Sequence, residues 1–354
     1  MLRDEQPITE ELAKAVVERF DRLIKRLDKS AEWASRSLGI SGSTLSQVLS
    51  GTYAGDAEKQ LRKIDKWTEQ QILRETAPRP AGFVRTKVAE QIYGVSRWVQ
   101  KTSAIGLVHG PAGVGKTITL QAIRAETPGS IYVRINSAGT SKMAVLDSIA
   151  TALRMGGLKL NANRIYQALV EPGGPLHETN RLIIVDEIHK LEGKRKDEAL
   201  HSLRDLHDDT GCPMLWAGMT NIATYIQSGK TRFEPLDQIF SRIGFWLNLS
   251  EQAQAKGLDG GGCLFSVEDI RKWLNGQKIR VTDDGVRYLQ MLANTPGVGG
   301  LRACYRLLQI AIGLVPEDKT IDASVLKEIR GQQLGVRASE QTDRQMEMRI
   351  AMVG

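Results

Sequence analysis

Apolar residues recur three and four apart at Leu12, Val16, Phe20, Leu23 and Leu27. That spacing predicts a helix burying one stripe. Thr9-Glu10-Glu11 supplies a capping hydroxyl and first-turn acids at its start. A second short helix is expected over about residues 30–38 and a third over 43–49, separated by Gly39-Ile40-Ser41. Two short helices around a glycine-containing turn form a helix-turn-helix pattern. A fourth helix, about residues 57–75, turns Leu61, Ile64, Trp67 and Ile72 inward. The periodicity then stops at Thr76-Ala77-Pro78-Arg79-Pro80-Ala81-Gly82, where two prolines and a glycine mark a linker.

Beyond the linker the pattern changes. A helical stretch over 83–101 leads into short, continuously apolar runs at 104–108, 130–135, 181–185, 214–217 and 245–249. Runs that are apolar on both faces suit buried parallel strands. Their alternation with helical stretches, through Val145, Ile149 and Leu153 and again through Leu200, Leu203 and Leu206, predicts an α/β sheet flanked by helices. Glycine-rich residues 257–262 separate this body from a smaller helical lid. The lid opens on a Ser266-x-x-Asp269 capping box and continues in helices near 282–293, 301–314 and 323–329. The expected domains are a helix-turn-helix module at 1–75, a linker at 76–82, the α/β body at 83–250, the lid at 263–330 and a polar tail at 331–354.

Composition narrows the class. The chain has 354 residues and 41% hydrophobic content, ordinary for a globular protein. Cys212, Cys263 and Cys304 form no C-x-x-C pair, which argues against a zinc site or disulfide framework and for a reducing, cytoplasmic setting. No apolar run approaches the roughly 18–20 residues of a membrane span, and no membrane partner is expected. The net charge is +7, yet residues 1–80 carry 14 Lys+Arg against 13 Asp+Glu. Nearly all the excess lies in the α/β body and lid, which points to a polyanionic partner for that part of the chain.

The chemistry starts at Gly110-Pro111-Ala112-Gly113-Val114-Gly115-Lys116-Thr117, a G-x-x-x-x-G-K-[ST] phosphate loop between an expected strand and helix. Glycines let the backbone curl so that successive N–H groups, with that of Ile118, face phosphates at a helix N-terminus. Lys116 is the candidate for the β- and γ-phosphates of ATP, and Thr117 for magnesium. About 70 residues on, Arg181-Leu182-Ile183-Ile184-Val185 ends in Asp186-Glu187. Asp186 is expected to hold Mg2+ through water and Glu187 to orient or deprotonate the attacking water.

Further candidates follow these two motifs. The 214–217 run ends in Gly218-Met219-Thr220-Asn221, where Thr220 or Asn221 is the candidate for sensing the γ-phosphate. Arg242, in Phe240-Ser241-Arg242-Ile243, is a candidate for completing a neighbouring subunit's site, or else a surface ion pair. Arg302, after Gly299-Gly300-Leu301, is placed to point back to the phosphates. Candidate DNA contacts are Ser43, Thr44, Ser46 and Gln47 on the third helix, together with Lys142, Lys194, Arg195 and Lys196 in the body. The third helix has no Lys or Arg, so its own affinity should be modest. Histidines 201 and 207, six apart on one helix, face different ways and form no metal pattern.

The phosphate loop, Asp186-Glu187, the Phe240-Ser241-Arg242-Ile243 box and Leu301-Arg302 resemble the AAA+ ATPases. With them, Leu45-Ser46-Gln47-Val48-Leu49, Tyr53-Ala54-Gly55-Asp56 and Thr295-Pro296-Gly297 resemble, in the same order over about residues 30–330, the transposition target-activator ATPases of the phage Mu B type. The resemblance implies an ATP-dependent, largely sequence-nonspecific binder of duplex DNA. It implies self-assembly into filaments, delivery of the DNA to a DDE transposase, and disassembly on hydrolysis. One departure is Met219, where that family's asparagine sensor would fall, and another is the longer glycine-rich insert at 257–262. Two alternatives remain: a helicase-loader-type ATPase and a nucleotide-switched regulator whose helix-turn-helix reads an operator.

Overall fold

The computed structural model describes residues 8–76, 83–155, 161–177, 179–193, 196–228, 236–252, 263–277, 279–314 and 320–334. Most of the expected linker, Lys194 and Arg195, the 257–262 insert and the tail beyond 334 therefore lie outside the described residues. The chain divides into two compact units, Met1–Arg79 and Pro80–Gly354.

The first unit is helical: α1 Glu10–Leu27, α2 Ala31–Leu38, α3 Gly42–Leu49 and α4 Ala57–Thr76. Short polar side chains set each start, because the first N–H groups of a helix lack partners within it. Thr9, Ser30 and Ser41 accept from the N–H groups of Leu12, Trp33 and Thr44, and Asp56 accepts from Lys59. Gly39 closes α2 in the left-handed region at φ 65°, which a residue without Cβ adopts at no steric cost. Phe20, Leu23, Leu45 and Ile64 are buried together, and Trp67 packs with them while its indole N–H donates to Ser37. On α3, Ser43, Ser46 and Gln47 are exposed, whereas Thr44 is half-buried and its hydroxyl bonds the capping Ser41.

The second unit holds a five-stranded parallel sheet in the order β2-β3-β4-β1-β5. The strands are β1 Ile105–His109, β2 Ile131–Arg134, β3 Ile183–Asp186, β4 Met214–Gly218 and β5 Ile243–Asn248. Around them run α5 Lys87–Thr102, α6 Lys116–Glu126, α7 Lys142–Ala152, α8 Ala162–Val170, α9 Asp197–Thr210, α10 Thr220–Ser228, α11 Asp237–Phe240 and α12 Leu249–Gln252. The lid comprises α13 Val267–Gln277, α14 Asp283–Asn294, α15 Gly300–Leu314 and α16 Ala323–Leu334. Helix α8 falls in a stretch that reads as polar and basic. Its signal is local: Asn161 caps it, accepting from Arg164 N–H, and Ile165 and Leu169 form a buried i, i+4 pair.

Side chains alternate across each strand, so the sheet has two cores. Ile105, Leu107, Val133, Val185 and Trp216 face α7, α8 and α9. Val108, Ile184, Leu215 and Leu247 face α5 and α6 in a core that continues into the lid through Phe265, Leu289 and Leu307. Gly106 lets α5 approach closely, since a Cβ there would stand 2.7 Å from the Cγ1 atoms of both Val95 and Val99. The lid is also tied on by hydrogen bonds. Ser266 and Asp269 cap α13 reciprocally, and the second Asp269 oxygen accepts from Lys87 N–H at the start of α5.

Candidate nucleotide site

A cleft of about 610 Å³ opens at the carboxyl ends of β1 and β3. This is where parallel α/β sheets place ligands, because the loops there diverge to opposite sides of the sheet. The turn between β1 and α6 forms its floor. Gly113 and Gly115 take left-handed backbone at φ 81° and 98°, and α6 starts on Gly115 with no side chain capping it. Its first N–H groups are therefore left facing the cleft, a surface suited to an anion.

Lys116 is half-buried and folds onto its own loop, donating to the carbonyls of Gly110 at 2.8 Å and Pro111 at 2.7 Å. Burial lowers its pKa to about 8, against the opposing pull of Asp186 and Glu187, and nearby Arg302 lowers it further. The Thr117 hydroxyl donates to Asp186 Oδ2 at 2.8 Å, so residues 69 apart in sequence form one oxygen pair. The same Oδ2 accepts from the Tyr132 hydroxyl at 2.7 Å, and Oδ1 accepts from Glu187 N–H at 2.8 Å. Tyr132 reaches it because the β2–β3 register sets Tyr132 beside Ile184, one step away on the same face of the sheet. Burial and this hydrogen bond push the Tyr132 hydroxyl upward in pKa.

Glu187 stands in left-handed backbone at φ 61°, where the chain turns from β3 into a 3₁₀ turn over Ile188–Leu191. A non-glycine residue there is strained and is found disproportionately at functional sites. Three bases surround its carboxylate: Arg134 at 3.5 Å, His189 at 3.6 Å and Lys190 at 3.6 Å. Burial pushes the His189 pKa down.

The lid closes the other side. The Arg302 N–H donates to Gly113 O at 3.4 Å, and the Arg302 side chain lines the cleft. A Cβ on Gly113 would fall 1.8 Å from Gly299 O, so two glycine turns from distant parts of the chain lie directly on each other. Gly113→Ala is expected to separate them and to cost about 2–3 kcal/mol through backbone strain and overlap. Thermal unfolding measures this, and an unchanged Tm would mean that the two turns do not pack.

Several sequence candidates come together here: Ala112, Val114, Ile118 and Arg302 line the cleft with Gly113, Gly115, Lys116, Thr117, Asp186 and Glu187. Others do not. Thr220 bonds Ser250 at 2.9 Å and Asn221 donates to Glu192, while Gly218 at the end of β4 and Met219 just after it line the cleft. Arg242 stands outside it, with its Nε 2.8 Å from Asp208. Lys142 is half-buried at the start of α7, and Lys196 is exposed at the start of α9. Phe83, Val84, Trp273 and Tyr305 give the cleft an apolar end that sequence reading missed. They come from the entry to α5, from α13 and from α15, and no short motif links them. Tyr132 and Arg134 were missed for the same reason, being joined to the site by sheet pairing, while His189 lies two residues after Glu187 and is turned into the cleft by the 3₁₀ turn.

Residues 99–226 match the family described as AAA domain. The chain is 26% identical over 275 residues to the ATP-dependent target DNA activator B of Escherichia phage Mu, covering 77% of this chain and 80% of that protein. It is 27% identical over 222 residues to the protein of the same description from Escherichia phage D108, covering 62% and 69%. The Mu-like prophage FluMu DNA transposition protein B of Haemophilus influenzae is 24% identical over 259 residues, covering 72% and 87%. The chain is thus Mu B-like over most of its length and carries an AAA domain, which implies an ATPase.

Proposed function

We propose that this Mu B-like AAA protein is an ATPase that binds duplex DNA when loaded with ATP, assembles on it as a filament and presents it to a DDE transposase. The observation that carries the nucleotide part is the convergence of Lys116, Thr117, Asp186 and Glu187 around one cleft over a left-handed glycine loop. Lys116 swings from the carbonyls of Gly110 and Pro111 to the β- and γ-phosphates, trading neutral acceptors for charged ones. The apolar end at Phe83, Val84, Trp273 and Tyr305 suits a nucleobase.

The Thr117 hydroxyl and the Asp186 carboxylate are adjacent hard oxygen donors, a set that fits magnesium. Thr117 would hold the ion directly and Asp186 through water. When bound there, the ion would supply positive charge against the phosphates. Tyr132 keeps Asp186 turned toward Thr117. Glu187 orients and deprotonates the attacking water, and its strained backbone aims the carboxylate into the cleft. Arg242, which stands outside its own cleft beside Asp208, would act in the site of the next subunit.

The DNA and transposition parts rest on the relatives, which are target DNA activators and a DNA transposition protein. The basic excess beyond residue 80 supports a DNA surface on the second unit, with Lys142 and Lys196 among the candidates beside Lys194 and Arg195. The exposed Ser43, Ser46 and Gln47, with Thr44 at the start of α3, offer hydrogen bonds to DNA but no cation. Hydrolysis then releases the assembly.

Electron microscopy of the full chain with random-sequence duplex tests this reading. ATP should give long assemblies that ADP does not, and binding should weaken steeply with salt as neutralised phosphates release counterions. Discrete dimers on one preferred site would replace the filament reading with that of a nucleotide-switched regulator.

A further inference from the structure

The wall of the cleft at the end of β4 presents no polar side chain from that strand. Gly218 has none, and Met219 offers a thioether that cannot donate a hydrogen bond. The next two residues are engaged elsewhere, Thr220 with Ser250 and Asn221 with Glu192. A γ-phosphate at this wall would have no donor from β4.

The adjacent 3₁₀ turn supplies one. His189 lines the same cleft, and its Nδ1 lies 3.4 Å from Met219 N. A backbone N–H can only donate, so in this contact Nδ1 is the acceptor. In a neutral imidazole the proton is then on Nε2. Nε2 lies 3.6 Å from Glu187 Oε2, on the same side as the carboxylate proposed to handle water. The turn is held tightly against β4: a Cβ on Gly218 would approach Ile188 Cγ2 to 3.0 Å and His189 N to 3.2 Å. The imidazole is thus anchored at one nitrogen by the backbone of the residue that lacks a donor, and it presents an N–H at the other.

We propose that His189 contacts the γ-phosphate, its Nε2–H donating to a terminal phosphate oxygen and taking the sensing task that Met219 cannot perform. The inference rests on the ATP reading of the cleft. It assigns a role to a residue with no motif of its own, and it couples recognition of the third phosphate directly to Glu187. A His189 that only steadied Glu187 would affect hydrolysis without distinguishing a triphosphate from a diphosphate in binding.

Binding separates the two roles. Fluorescent AMP-PNP and fluorescent ADP, each with magnesium, are titrated into the full chain and into His189→Ala and His189→Gln. His189→Ala is expected to weaken the triphosphate analogue about tenfold, the loss of one hydrogen bond to a charged group, and to leave ADP within about twofold. His189→Gln retains an N–H donor and should recover most of that loss. It also keeps the test valid if the alanine variant unfolds. Equal losses for both nucleotides, or none for either, would overturn the inference while leaving the ATP site standing. Failure of the unsubstituted chain to bind either nucleotide would overturn the ATP reading, and His189 with it.

Discussion

Lys116→Ala is expected to remove ATP-dependent DNA binding altogether. The ammonium is the one side-chain cation that the phosphate loop itself delivers into the cleft, and a hydrogen bond from a charged group contributes about 1.5–3 kcal/mol. Losing contacts to two phosphates should weaken nucleotide binding roughly 100-fold. The fold should survive, because among the described residues the Lys116 ammonium donates to the carbonyls of Gly110 and Pro111 within its own loop. Nucleotide titration with DNA co-sedimentation checks this at an unchanged circular dichroism spectrum. DNA binding that still responds to ATP would mean that the cleft is not the switch.

The same lysine implies a pH dependence with a definite sign. Burial lowers its pKa to about 8 in the nucleotide-free chain, and phosphates raise it by stabilising the ammonium. Binding therefore takes up a proton wherever the free lysine is neutral. Affinity should be flat with respect to this group below about pH 8 and fall as pH rises above it. In Lys116→Ala that alkaline fall should be absent.

Glu187→Gln should separate binding from turnover. The amide keeps the size of the side chain and accepts a hydrogen bond from water, but it cannot take up a proton. Loss of a positioned general base lowers kcat by about 10²–10⁴-fold. Nucleotide affinity should hold, since Thr117, Asp186 and Lys116 are untouched. DNA assemblies formed with ATP should consequently outlive those of the unsubstituted chain. Single-turnover phosphate release and the lifetime of assemblies after dilution into excess ADP measure the two effects. Phosphate release within tenfold of the unsubstituted chain would remove Glu187 from the catalytic role. The substitution removes the negative charge shared by Arg134, His189 and Lys190, while His189 stays held by the Met219 N–H and Lys190 by the Ile135 carbonyl.

The parts of the site that were legible in the sequence are those whose geometry is local. The glycine loop between β1 and α6 suits an anion through features of its own, its left-handed backbone and the uncapped N–H groups of the helix it starts. An apolar run ending in two acids likewise places carboxylates at the end of a buried strand. The capping box at Ser266 and Asp269 and the stripe of α1 were readable for the same reason, each being decided within a turn or two of helix. Helix α8 was not read because its polar and basic residues mask a short buried pair, Ile165 and Leu169.

The sequence by itself determined that strands alternate with helices, that a glycine loop lies between a strand and a helix at Gly110–Thr117, and that acids follow at Asp186 and Glu187. Only the tertiary structure decided which residues share the cleft. Parallel strand order and register bring Tyr132 and Thr117 onto one carboxylate oxygen across 54 and 69 residues of chain. Packing of the lid lays Gly299 on Gly113 and sets Trp273 and Tyr305 at the apolar end. The bend after β3, with the close approach of Gly218, puts His189 where β4 offers only Met219. Spacing along a chain specifies local backbone shape, but contacts between distant segments depend on how complementary surfaces exclude water and fill the core. That is why the motif residues were visible from the start and their partners were not.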